Sequence, residues 1–102
     1  MDVHKEIRRA VDTGKVVFGS KSGLKTAATG NAKSIIYAAN TPESTKQKIE
    51  KYAGNSNILV FQSDKNGMEL GEICGKPFVI LVMSILDEGR SKIISAIKEA
   101  KK

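Results

Sequence analysis

Four short apolar runs, separated by polar segments punctuated with glycine, constrain this chain more than anything else in it. They are Val16-Val17-Phe18, Ser34 to Ala39 (SIIYAA), Ile58 to Phe61 (ILVF) and Phe78 to Leu86 (FVILVMSIL). Continuous apolar runs of this length suit strands buried on both faces, which need helices packed above and below them. The intervening segments have helical character. Asp2 can cap a first helix in which Val3, Ile7, Ala10 and Val11 recur at helical spacing, and Gly14 suits a left-handed C-terminal stop. A second helix follows Gly19-Ser20-Lys21-Ser22 and ends near Thr29. Thr41-Pro42-Glu43 predicts a third helix to about Ala53, with Thr41 as N-cap, Pro42 at the first helical position and Gly54-Asn55 as the stop. A short helix from Met68 to Cys74 has Met68, Ile73 and Cys74 as inward candidates, and a last one carries Ile93, Ile94 and Ile97 inward. Lys98, Lys101 and Lys102 lie near the negative end of that last helix.

Helix and strand therefore alternate, and the expected fold is α/β: a three-layer α/β/α sandwich around a central four-stranded mixed sheet. At 102 residues the chain has room for one domain, expected to span residues 1–102. A membrane-spanning helix needs about 20 apolar residues, and the longest run here, Phe78 to Leu86, has nine. The start, MDVHKEIRR, is charged and lacks the apolar stretch of a signal peptide. A soluble, cytoplasmic protein is expected.

Lys and Arg number 17 against 11 Asp and Glu, a net charge of +6. That surplus favours a polyanionic partner, because neutralising phosphates releases condensed counterions. An anionic membrane surface would use the same charge.

Catalytic chemistry needs converging groups that transfer protons, attack or hold a metal. One cysteine, Cys74, cannot form an internal disulfide, and its place on an apolar helix face suits packing better than nucleophilic attack. His4, the only histidine, has no evident partner. Asp87 and Glu88 are neighbours that do not face each other and suit the N-terminus of the last helix. Asp64 has no second carboxylate near it in sequence. No catalytic set, metal site or cofactor motif is found.

The loops read differently. Gly19-Ser20-Lys21-Ser22-Gly23-Leu24-Lys25 follows a strand and opens a helix, so free N–H groups and close backbone approach suit an anion. Lys21 and Lys25, four apart, share a helical face. An ordinary strand–helix connection with solvated lysines explains the same residues equally well. Asn40 stands at the carboxyl end of the second strand, the edge at which ligands gather in alternating sheets, and its amide can both donate and accept. Thr41, as the cap, leaves it free. Phe78 follows Gly75-Lys76-Pro77, and composition alone favours a core role over stacking on an unpaired base.

Several segments together carry a resemblance. They are Asp12-Thr13-Gly14-Lys15, Gly19-Ser20-Lys21-Ser22, Ala38-Ala39-Asn40-Thr41-Pro42, Tyr52-Ala53, Glu69-Leu70-Gly71 and Gly75-Lys76-Pro77-Phe78. In this order and spacing the chain resembles the L-thirty-e family of archaeal and eukaryotic large-subunit ribosomal proteins, relatives of the kink-turn-binding L-seven-Ae proteins. The resemblance implies the same sandwich, no catalytic activity, and binding to a kink-turn or similar purine-rich internal loop of ribosomal RNA. It implies RNA contacts at Gly19, Ser20, Lys21, Asn40 and Phe78, with Lys25 and Lys76 supporting, and so raises Phe78 from core residue to stacking contact. Other large-subunit proteins are implied as neighbours, with no membrane, no cofactor and a monomer when free. A general kink-turn protein of another ribonucleoprotein, or an accessory domain of an RNA-modifying enzyme, are the alternatives. The L-seven-Ae branch has an Asn-Glu pair where this chain has Lys21-Ser22, which fits the L-thirty-e branch. Gly23 also departs from the family, and is expected to fray the start of its helix.

Overall fold

The computed structural model describes residues 2–100. Five helices and four strands alternate: α1 (Val3–Thr13), β1 (Lys15–Phe18), α2 (Ser20–Thr29), β2 (Ser34–Tyr37), α3 (Glu43–Ser56), β3 (Leu59–Gln62), α4 (Gly67–Ile73), β4 (Val82–Asp87) and α5 (Ile93–Ala100). Lys101 and Lys102 lie outside the described residues.

The strands form one mixed sheet in the order β1-β4-β2-β3, with β2 and β3 parallel and β4 antiparallel to both its neighbours. Side-chain alternation then divides the core in two. Ile36, Met83 and Ile85 face α1, α4 and α5, meeting Ile7, Leu70, Ile93 and Ile97. Ile35, Tyr37 and Val82 face α2 and α3, meeting Ala27, Ile49 and Ala53. This is the three-layer sandwich that the alternating pattern predicts.

The topology also brings four strand ends together. Because β4 runs against the other three strands, the carboxyl ends of β1, β2 and β3 and the amino end of β4 all emerge at one edge of the sheet.

Several local expectations are revised by tertiary contacts. β1 is an edge strand with no fully buried residue, so its apolar run is not completely covered on both faces. Gly14 is extended (φ −111°), and a Cβ there would lie 2.1 Å from the Asp87 carbonyl oxygen, so backbone proximity explains this glycine. Thr41 does not cap α3. Its hydroxyl donates to the Leu81 carbonyl at 2.9 Å, and Pro42 holds the cap position without a side-chain bond. Gly54 and Asn55 continue the helix, which stops instead at left-handed Asn57. Gly23 does not fray α2. It is buried where a Cβ would sit 2.5 Å from Val82 Cγ1, which lets the helix lie close on the sheet.

β4 begins at Val82 rather than Phe78, because Ile80 is drawn out of line by its N–H bond to the Gly67 carbonyl (2.9 Å). Met68 is 64% exposed, and Leu70, not singled out from sequence, takes the inward position on α4. Asp87 and Glu88 leave α5 to others: Asp87 accepts from the Gly89 N–H (2.9 Å), and Glu88 pairs with Lys33 (2.9 Å). The start of α5 is served by buried Glu6, which accepts from the Lys92 N–H at 2.7 Å. His4 has a partner after all, with its Nε2 2.7 Å from Ser63 Oγ.

Candidate nucleic-acid interface

The segments after β1, β2 and β3 and the one before β4 meet at this edge, and short hydrogen bonds tie them together. Gly19 leaves β1 and donates its N–H to the Val82 carbonyl (2.8 Å). Ala38, leaving β2, donates to the Leu81 carbonyl (2.7 Å), which also receives the Thr41 hydroxyl. Ala39 donates to the Lys65 carbonyl (2.9 Å), joining the loop after β2 to the one after β3. Residues distant in sequence are thereby held as one surface.

Gly19 is exposed, with φ +116° and ψ 149°, a conformation that side-chain-bearing residues rarely adopt. No atom lies within 4 Å of where its Cβ would be, so the backbone is open to close approach from outside. Ser20 begins α2, and no side chain caps the first turn. The uncapped turn and its aligned peptide dipoles favour an anion. Lys21 and Lys25 are both exposed on α2. Lys25, one turn further along, has no hydrogen bond, ion pair or ring contact with the other candidates among the described residues.

Asn40 is exposed, yet its side chain is oriented. Oδ1 accepts the Gly67 N–H at 2.9 Å, a donor that the start of α4 leaves without an intrahelical partner. α4 has its own cap besides: Asn66 accepts from the Glu69 N–H and the Glu69 carboxylate accepts from the Asn66 N–H, a capping box.

Phe78 is 50% exposed and stands before β4 rather than in it, so it is not a core residue. Its ring meets Phe18 edge to face, with centroids 6.0 Å apart. The Lys76 ammonium lies 5.5 Å from the centroid of the same Phe18 ring. Phe18 is the residue just before Gly19, so the loop after β1 and the segment before β4 share one aromatic support. A Cβ on Gly71 would lie 2.1 Å from the Phe78 carbonyl oxygen, so α4 presses against this loop and holds it. Val79, 56% exposed, extends the apolar surface, and a groove of about 320 Å³ runs between Phe78, Lys76 and Met68.

The sequence missed Phe18, Gly67 and Val79. Phe18 and Val79 lie inside or beside strand-like apolar runs and look like core, while Gly67 contributes only a backbone N–H. Elsewhere, burial pushes the Cys74 thiol up to about 11, leaving it protonated and unreactive at neutral pH. No cluster of three or more His, Cys, Asp or Glu side chains able to hold a metal exists among the described residues. Nor is any helix among them long and apolar enough to cross a membrane.

At one edge this α/β/α sandwich gathers an open glycine, an uncapped helix start, exposed lysines and an exposed ring. The chain belongs to the ribosomal protein L7Ae/L30e/S12e/Gadd45 family, whose pattern matches residues 1–95. Among its relatives is the large ribosomal subunit protein eL30 of Methanocaldococcus jannaschii, 43% identical over 97% of this chain and 90% of the relative. The protein of that name from Methanosphaera stadtmanae is 43% identical over 97% of this chain and its own entire length. That from Saccharolobus solfataricus is 44% identical over 92% of this chain and 87% of the relative. A solved structure of a protein of unknown function from Bacillus halodurans superimposes with a TM-score of 0.80 at 21% identity. It covers 96% of this chain and 97% of its own, and supports the fold.

Proposed function

We propose that this protein is a structural, non-catalytic constituent of the large ribosomal subunit that binds a kink-turn or similar purine-rich internal loop of ribosomal RNA. End-to-end similarity to proteins named large ribosomal subunit protein eL30 supports the ribosomal assignment. The observation that carries the RNA reading is the joining of Gly19, Lys76 and Phe78 around Phe18, with Asn40 on the same sheet edge. In this reading the RNA backbone approaches Gly19 and the uncapped start of α2, Lys21 and Lys76 neutralise phosphates, and Lys25 adds charge further along. An unstacked base lies on Phe78, as aromatic side chains do in single-stranded and looped RNA recognition. Ribosomal RNA and neighbouring large-subunit proteins are the partners, the protein is a monomer when free, and its place is the cytoplasmic ribosome. Residues 1–102 act as a single RNA-binding domain.

Titrating the protein against a synthetic kink-turn RNA and a straight duplex of equal length tests this. The bent RNA binds more tightly, and its affinity falls with salt. With Lys21, Lys25 and Lys76 each neutralising a phosphate, log affinity against log salt has a slope of about −2 to −3. Equal affinity for both RNAs, or a flat salt dependence, overturns the proposal.

A further inference from the structure

The two helical layers of the sandwich differ in charge. α2 and α3 together carry five lysines against two glutamates, whereas α1, α4 and α5 carry four Lys and Arg against five Asp and Glu. In the latter layer Arg8 meets Asp12 at 3.0 Å and Arg9 meets Glu6 at 3.2 Å. In the former, Glu50 accepts from the Tyr37 hydroxyl (3.0 Å) and Lys46 donates to the Ala39 carbonyl (3.3 Å). Lys21, Lys25, Lys48 and Lys51 are exposed, and their ammonium groups have no ion pair or hydrogen bond among the described residues.

The topology gathers these four. β1, β2 and β3 run the same way, so α2 and α3, which link them, both start at the edge that bears Gly19 and run parallel. A Cβ on Gly30 would lie 3.6 Å from that of Ser56, and the Ser56 hydroxyl donates to the Ala27 carbonyl at 3.2 Å. That contact sets an offset of 26 positions, from 30 to 56, between the two helices. The same offset brings Lys51 level with Lys25, and Lys48 to within one residue of the level of Lys21. Packed helix axes lie about 8–10 Å apart, so two pairs of lysines, about one turn apart, form a strip. It runs from the Gly19 edge down the outer face.

Building on the proposed RNA-binding role, we infer that the outer face of α2 and α3 holds the phosphate backbone of a double-stranded stem leaving the bent RNA, through Lys25, Lys48 and Lys51. Continuity favours this occupant, because the strip begins at Lys21, on the edge assigned to the bend. Composition favours it too. Among the described residues, Tyr52 is the only exposed large hydrophobic side chain on this face. A stable protein partner or a membrane surface needs more apolar area than that. An RNA duplex, recognised by its shape and phosphates, does not. Lys25, which stands apart from the other edge residues, finds its partners here.

The informative variant is Lys48→Gln/Lys51→Gln, which removes two exposed charges and keeps good helix-forming side chains. The probes are a kink-turn RNA with both stems cut to the minimum that stays paired, and versions with one stem or the other extended by a full helical turn. On one extended RNA, the wild-type slope of log affinity against log salt is steeper than on the minimal RNA. The increment from Lys48 and Lys51 is about 1.5–2, at about 0.7–0.9 per added phosphate. The double variant binds the minimal RNA as the wild type does and lacks that increment on the extended one. Changing the base sequence of the extended stem leaves the increment as it was. Equal slopes for wild type and variant on every extended RNA overturn the inference while leaving the proposed function standing. An equal loss by the variant on the minimal RNA also overturns it, because the two lysines then act at the bend. Unchanged RNA slopes with lost binding to polyglutamate overturn it in favour of an acidic protein partner. Failure of the wild type to prefer bent RNA over a straight duplex overturns both readings.

Discussion

The two edges of the sheet both carry cationic side chains and treat their polar groups in opposite ways. At the edge where β1 begins and β4 ends, the chain closes on itself. Thr13 Oγ1 accepts from the Arg90 N–H (2.9 Å) and donates to the Arg9 carbonyl (2.7 Å). Lys33 meets Glu88 at 2.9 Å, and Glu6 binds both the Lys92 N–H and the Arg9 guanidinium. At the other edge, among the described residues, Lys21 and Lys76 have no ion pair, the Asn40 amide nitrogen is unpartnered, and Met68, Phe78 and Val79 expose apolar surface. The presence of lysines does not distinguish the two edges. Unsatisfied donors beside exposed apolar surface do, because folding alone gives no reason to leave them so.

The largest expected effect that sharpens this contrast is at Phe78. Phe78→Ala lowers affinity for the bent RNA by about 1–3 kcal/mol, the range for losing one stacked base. A half-exposed ring costs far less stability than the ~3–5 kcal/mol of a core phenylalanine. A collapse in melting temperature with affinity per folded molecule unchanged would make Phe78 a core residue and break the contrast.

The mirror experiment is at Glu6, on the closed edge. Glu6→Ala leaves the Lys92 N–H without its acceptor and is expected to cost roughly 1–3 kcal/mol of folding stability. Denaturant unfolding measures that loss. RNA affinity of the folded variant stays at the wild-type level, and a drop there would show that both edges serve the ligand.

Cys74→Ala brings the smallest change, roughly 1 kcal/mol of stability, with RNA binding intact. The buried thiol also resists alkylation in the folded protein at pH 8. With its pKa raised to about 11, the thiolate is a small fraction there and gains tenfold per pH unit up to that value. Rapid labelling of native protein at pH 8 would place Cys74 at the surface and contradict the fold.

The apolar runs and their spacing determined the fold class, because a strand covered on both faces has to be apolar throughout and needs helices on each side. Asp2 as the cap of α1 was equally legible, since the bond it makes, to the His4 and Lys5 N–H groups, is local. What the sequence could not decide were roles assigned by distant partners. Thr41 and Pro42 read as a helix start, yet the Thr41 hydroxyl is claimed by Leu81, 40 residues away. Its position at the carboxyl end of the second strand puts Asn40 at the edge where β1, β2 and β3 end, but the sequence leaves its whole amide free beside a capping Thr41. In the structure its oxygen is bound and only its nitrogen is free. Phe78 and Val79 continue an apolar run that looks like strand, but α4 pressing on that segment through Gly71 and Gly67 turns them outward. Hydrophobic periodicity reports that a segment will be buried somewhere. Which residues escape burial is decided by the packing of helices against loops, and on that the candidate site depends.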